Sequence, residues 1–142
     1  MVEQSIRKSV LREEDKGFIS GFTVVGDSGT IINPMIIERQ VLDGIGQAIL
    51  DQCIYAESGY LQTGLFMDYC MPRADDLPNF TVGLTTTMCT HNPLCTKACG
   101  EGGETGSPPA IINAITDAAG ARYISMPASP EKIWCAIQEQ SA

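Results

Sequence analysis

The apolar positions along this chain fall into short blocks with two different periods. From Gly17 to Asp27 the sequence reads GFISGFTVVGD, rich in aromatic and β-branched residues, which predicts a mostly buried strand. Asp27-Ser28-Gly29 turns the chain, and Asn33-Pro34 breaks it ahead of a helix. Over Met35–Asp51 the residues Ile36, Ile37, Val41, Ile45, Ala48 and Ile49 recur at helical spacing. Gly44 and Gly46 sit inside that pattern, at a cost of about 1 kcal/mol each against alanine. Either a bound group comes close there, or a neighbouring helix or strand packs tightly.

Cys53–Thr63 (CIYAESGYLQT) predicts two short strands about a Glu-Ser-Gly turn. Phe66–Pro78, punctuated by prolines, predicts an irregular connector, and Phe80–Thr87 a further strand. Ser107-Pro108-Pro109 has the chemistry of a helix start: a hydroxyl to cap free amides, then proline where an amide would go unpaired. Ile111, Ile112, Ile115 and Ala118 give that helix its apolar stripe, and Gly120 ends it. Arg122–Met126 predicts one more strand. Ser129-Pro130 repeats the cap before a last helix with Ile133, Trp134 and Ile137 facing inward. The fold class is therefore α+β, with mixed strands and helices and no regular βαβ alternation. Residues 1–16 form a polar lead-in, and 17–142 a single domain.

Composition narrows the function. A chain of 142 residues with 44% apolar and 18% charged residues is globular and can bury a real core. Its net charge of -8 speaks against nucleic acid, because no basic patch is available to neutralise phosphates. No apolar run approaches the roughly 20 residues of a membrane span. The polar start MVEQSIRKSVLREEDK lacks the apolar core of a secretory signal, which makes a cytoplasmic location the expectation. The six cysteines then read as reduced thiols, most of them small buried hydrophobes.

Three groups of residues could carry chemistry. Cys89, His91, Cys95 and Cys99 include the lone imidazole and enough thiols for tetrahedral zinc, but their spacing matches none of the usual knuckles. Asp75-Asp76, Glu57 and Glu13-Glu14 read as solvated carboxylates. Glu101 differs in its setting, CTKACGEGGETGSPPA, where glycines free the backbone and let a bulky group approach. A carboxylate near a helix start is electrostatically favoured. Enclosure would raise its pKa toward that of a general base. From these features alone, a capping or surface role competes with a catalytic one.

Several long blocks, in order, resemble one family. They are GDSGTIINPMIIERQV (26–41), GIGQAIL (44–50), FMDYCMPRADDLPNF (66–80), THNPLCTKACGEGGETGSPPAIINAITDA (90–118) and MPASPEKIW (126–134). Together they are similar to the C-terminal part of the molybdenum-cofactor-binding large subunit of the xanthine dehydrogenase and aldehyde oxidase family, nearest the branch of carbon monoxide dehydrogenase large chains or aldehyde dehydrogenase large subunits. The family pattern around the loop is approximately NPLGxKGxGEAGxxGxPPAxxNAxxDA. The resemblance implies that Glu101 is the general base in hydroxylation of an aldehyde, aromatic heterocycle or related small substrate. It also implies a molybdenum-pterin cofactor contacted near Asp43, Gly44 and Gly100, and electron transfer to iron–sulfur and flavin subunits.

Three departures stand out. RQVLDGIGQAI is about one helical turn shorter than the family's GQVHGGxAQGIGQAL, which puts Asp43 where a glutamine touches the pterin. Cys95 and Ala98 stand where glycine is usual. The chain is also several times shorter than a large subunit, so the remaining large-subunit portion is an implied partner, and self-association would be a way to cover exposed apolar faces. The shortened block supports an alternative, a non-catalytic remnant of the fold recruited as a protein-interaction module.

Overall fold

The computed structural model describes residues 3–5, 19 and 21–141. Three strands and three helices follow in the order β1 (Glu3–Ser5), β2 (Phe22–Asp27), α1 (Pro34–Ile49), β3 (Phe80–Thr85), α2 (Gly102–Ala119) and α3 (Pro130–Ser141). The mixed α+β expectation holds. The sheet runs β1-β2-β3, with β1 antiparallel to β2 and β2 parallel to β3, Phe22 opposite Phe80 and Val24 opposite Val82. Within the polar lead-in, residues 3–5 thus form an edge strand, and the rest of it lies outside the described residues.

Helix α1 begins as its sequence predicts. Asn33 is extended at φ -140° and its Oδ1 accepts from the Met35 amide at 3.1 Å, while Pro34 fills the first helical position. Its buried face, Ile37, Val41, Ile45 and Ala48, joins Phe22 and Val24 of β2 and Ile111 of α2 in the main core. Burying side chains of this size contributes about 1.5–3 kcal/mol each.

The two glycines of α1 are explained by close approach. A Cβ on Gly44 would lie 2.9 Å from Ser107 Cβ and 3.0 Å from Glu104 Cα, so α2 passes directly over it. From the other side, a Cβ on Gly103 would lie 2.6 Å from Val41 N. A Cβ on Gly46 would strike the ring of Pro72. Of the two readings left open by the sequence, tight packing of a neighbour is the observed one at this crossing.

Several expectations are corrected. Helix α2 starts at Gly102, not after Ser107. Ser107 lies inside the helix, fully buried against Gly44, and its Oγ finds no hydrogen-bond partner. Pro108 and Pro109 are interior residues, tolerated because packing on α1 outweighs two lost amide donors. Gly120 does end the helix, at φ 67°. Residues 122–126 form no strand. They run irregularly into a small second core of Ile124, Ala128 and Ala136, roofed by Ile112, Ile115 and Ile133. In α3 it is Ala136 that faces inward. Trp134 is 61% and Ile137 42% exposed. The 53–63 hairpin is reduced to a single bridge, Tyr55 to Leu61, around a turn closed by the Gly59 amide on the Ala56 carbonyl.

Candidate functional site

The site grows from the end of β2 and the start of α2. After Asp27 the chain turns through Ser28 and Gly29, and a second loop, residues 88–97, is laid on that turn. The Thr30 amide donates to the Cys95 carbonyl at 3.0 Å, and the Lys97 amide to the Ser28 carbonyl at 2.9 Å. Gly29, at φ 65°, must be glycine, since a Cβ there would strike the Cys95 carbonyl oxygen. Asn92 braces the loop internally: its Oδ1 accepts from the Thr96 amide at 3.1 Å and its Nδ2 donates to the Thr96 carbonyl at 2.8 Å.

An ion pair locks this junction. Lys97 Nζ donates to Asp27 Oδ2 at 2.7 Å, while Asp27 Oδ1 accepts from the amides of Gly29 and Thr87 at 3.1 and 3.0 Å. The Lys97 ammonium first, and then the Thr87 amide, hold the Asp27 carboxyl far below the ordinary carboxylate range. The sequence reading missed this pair. No spacing rule links residues 70 positions apart; only a carboxylate at a strand end and a lysine beside a glycine-rich loop were visible.

Four residues past Lys97, Glu101 occupies the N-cap position of α2 (φ -132°, ψ 6°). Its carbonyl accepts from the Thr105 amide at 2.9 Å, but its side chain makes no capping hydrogen bond. The first amides of a helix have no partner within it, so the start of α2 is left uncapped by a side chain. Beside it lies an open concavity of about 690 Å³ lined by Ala98, Gly100, Glu101, Gly102, Thr105 and Gly106. Gly100 is exposed and nothing crowds its α-carbon.

The other residues singled out by the sequence lie elsewhere. Asp43 is exposed on α1, 3.8 Å from Arg39, and lines a separate cavity of about 430 Å³ with Gln47, Asp51, Gln52, Cys53, Tyr69 and Glu104. Burial, then the Asp43 charge, raises the Asp51 carboxyl above its usual value, and Asp51 Oδ1 is buried without a hydrogen-bond partner. Burial, then Asp51, raises Tyr69 as well. Gly44 is buried under α2. Thus Glu101 and Gly100 share one concavity, and Asp43 opens onto another.

The cysteines depart from expectation. Cys53, Cys70 and Cys135 are exposed and Cys89, Cys95 and Cys99 half-buried, so these thiols are not core residues. Among the described residues no three His, Cys, Asp or Glu side chains come together as a metal site. Asp75, Asp76 and Glu57 are exposed, with Asp76 Oδ2 accepting from the Arg73 amide at 2.9 Å in a turn. No helix among the described residues is long and apolar enough to cross a membrane.

Comparison with known proteins gives this geometry a lineage. Residues 15–78 match the molybdopterin cofactor-binding domain. The chain is 37% identical over 116 residues to the nicotine 6-hydroxylase large subunit of Paenarthrobacter nicotinovorans, covering 77% of this chain and 14% of that one. It is 35% identical over 120 residues to the carbon monoxide dehydrogenase large chain of Afipia carboxidovorans, covering 80% and 15%. The crystal structure of quinoline 2-oxidoreductase from Pseudomonas putida 86 superposes with a TM-score of 0.72 at 34% identity, over 85% of this chain and 16% of that one. The chain belongs to the xanthine dehydrogenase and aldehyde oxidase family of molybdopterin-binding subunits. The chain spans only 14–16% of the length of these relatives.

The two concavities of this molybdopterin-binding segment differ in how well they suit the cofactor. At the start of α2, uncapped amides and glycine backbone offer donors and clearance to a polar, anionic group. The Asp43 cavity, with Asp51 and Glu104 on its wall, presents carboxylates that repel one. The concavity at the start of α2 is the less acidic of the two, with one carboxylate, Glu101, against three.

Proposed function

We propose that these residues are the C-terminal segment of a molybdenum hydroxylase large subunit and supply the general base, Glu101, for hydroxylation of an aldehyde, heterocycle or related small substrate. One observation carries the reading: a carboxylate at a helix start that is not used as a cap, beside a glycine-lined concavity. The relatives named as a nicotine hydroxylase and a carbon monoxide dehydrogenase support the reaction class.

Gly100 and the first-turn amides at Gly102 and Gly103 would hold the molybdenum-pterin cofactor, which when bound supplies a Lewis-acidic centre able to accept two electrons. The work of this chain is to place Glu101 and to receive a proton on its carboxylate. The braced 88–97 loop and the Asp27–Lys97 pair fix the backbone from which Glu101 projects. Asp43, a carboxylate on the wall of the other cavity, would not donate the hydrogen bond that the family's glutamine gives the pterin, so that contact would be lost in this chain. Gly44 would act indirectly, by letting α2 settle on α1. The partners are the remaining large-subunit portion and iron–sulfur and flavin subunits, in a cytoplasmic assembly.

The test is Glu101→Gln in the assembled subunit. Turnover should fall by about 10²–10⁴-fold, the usual contribution of a general base, with molybdenum content unchanged. Turnover near wild type would remove Glu101 from the role. A second reading, a non-catalytic interaction module, is favoured by the carboxylate-lined cavity at Asp43. Molybdenum analysis of the purified assembly separates the two: a stoichiometric content supports the hydroxylase, and none in any assembly supports the module.

A further inference from the structure

Cys95 is the one described non-glycine residue in the left-handed region, at φ 56°. A side chain there is strained, and strained positions are places to look for a use of the side chain. Cys95 closes the turn begun at Asn92, with its amide on the Asn92 carbonyl at 3.1 Å. Its own carbonyl accepts from the Cys89 amide at 3.3 Å. That single backbone hydrogen bond holds the two residues' backbones in contact, as a disulfide between α-carbons about 4.4–6.8 Å apart requires. Both thiols are half-buried, so a small reagent can reach them. The third element is the chain's lone histidine: His91 Nδ1 lies 3.9 Å from Cys89 Sγ, within reach of the thiol proton.

We propose that Cys89 and Cys95 are an oxidisable thiol pair, a modification site for small-molecule disulfides, with His91 as the proton acceptor for Cys89. This does not rest on the hydroxylase reading. With oxidised glutathione as co-reactant, His91 takes the Cys89 proton and the thiolate attacks one glutathione sulfur. The glutathione S–S bond breaks, a mixed disulfide forms at Cys89, and the first glutathione leaves as thiolate. The Cys95 thiolate then attacks Cys89 Sγ, forming the Cys89–Cys95 bond and releasing the second glutathione. Two protein thiols have lost two protons and two electrons, and one glutathione disulfide has become two thiols. The bond would close a seven-residue loop already braced by Asn92 and Thr96.

Oxidised glutathione is the probe, with the full chain at low concentration, followed by alkylation and peptide mapping. The expected product has a single protein disulfide, Cys89–Cys95, 2 Da lighter than the thiol pair, whether or not the exposed Cys53, Cys70 and Cys135 carry glutathione. Cys95→Ser should stop at a glutathione adduct on Cys89. Cys95→Gly should do the same while relieving the left-handed strain, so that a misfolded serine variant cannot decide the matter. His91→Gln should slow the first step about tenfold near neutral pH, with a deficit that closes as rising pH ionises the thiol unaided, and leave the oxidised fraction at equilibrium unchanged. A link between any other pair, adducts at Cys89 and Cys95 with no link, or no oxidation at either thiol would overturn the proposal.

Discussion

The crossing of α1 and α2 and the long connector from residue 51 to 79 are built on opposite principles. At the crossing, Gly44 and Gly103 remove side chains so that two helices touch along their backbones, and Ile45, Val41 and Ile111 are sealed beneath. The connector has no helix or strand and leaves Tyr60, Leu65, Phe66 and Met67 out, the last two at 91% and 93% exposure. The first region completes its own packing. The second displays apolar surface that the other described residues do not cover, as suits a segment that spans about one-seventh of its relatives' length.

The contrast can be broken at its tightest point. Gly103→Ala puts a methyl against the Val41 amide and should cost about 2–3 kcal/mol, read from the urea midpoint. A loss below about 0.5 kcal/mol would mean that the helices do not meet this closely. Ser107→Ala sharpens the same region by its sign. A buried hydroxyl without a partner is a burden, so its removal should stabilise by about 1 kcal/mol, whereas loss of a helix cap would destabilise by a similar amount.

Asp27 probes the loop junction through pH. Its folded pKa is depressed, so the stability it contributes is present above the ordinary carboxylate value near 4 and is lost as pH falls below it. Asp27→Asn should therefore lower the thermal midpoint at neutral pH and narrow the gap to wild type on acidification from pH 4 to 2. A gap that stays constant across that range would show that the Lys97 pair is not holding the junction. Smallest of all should be Phe66→Ser with Met67→Ser, within about 0.5 kcal/mol of wild type in the chain's own unfolding. Their effect should appear instead as weaker association with the remaining large-subunit portion.

Much of the framework was readable before any coordinates. The Phe22–Asp27 part of the strand predicted over 17–27, the Asn33-Pro34 entry to α1, strand β3 and the Gly120 stop each follow from local chemistry that acts within a few residues. Ile19 and Gly21 are not strand, and residues 17, 18 and 20 lie outside the described residues. Helix α2 was misplaced because Gly102, Gly103, Gly106, Pro108 and Pro109 all argue against a helix locally. Only contact with α1, invisible to local rules, makes the glycines an advantage. Trp134 was turned the wrong way for a related reason: helical period marks an apolar face, but the small residue Ala136 is what fits the second core. Glu101 could be picked out by its glycine setting and by the family pattern. Its place at the N-cap, and the Asp27–Lys97 pair behind it, needed the fold.

One feature of the sheet reaches beyond this chain. Strand β3 pairs with β2 on one side, and among the described residues nothing hydrogen-bonds along its other side. A strand from another polypeptide can therefore register onto Phe80–Thr85 and extend the sheet without disturbing the helices above it.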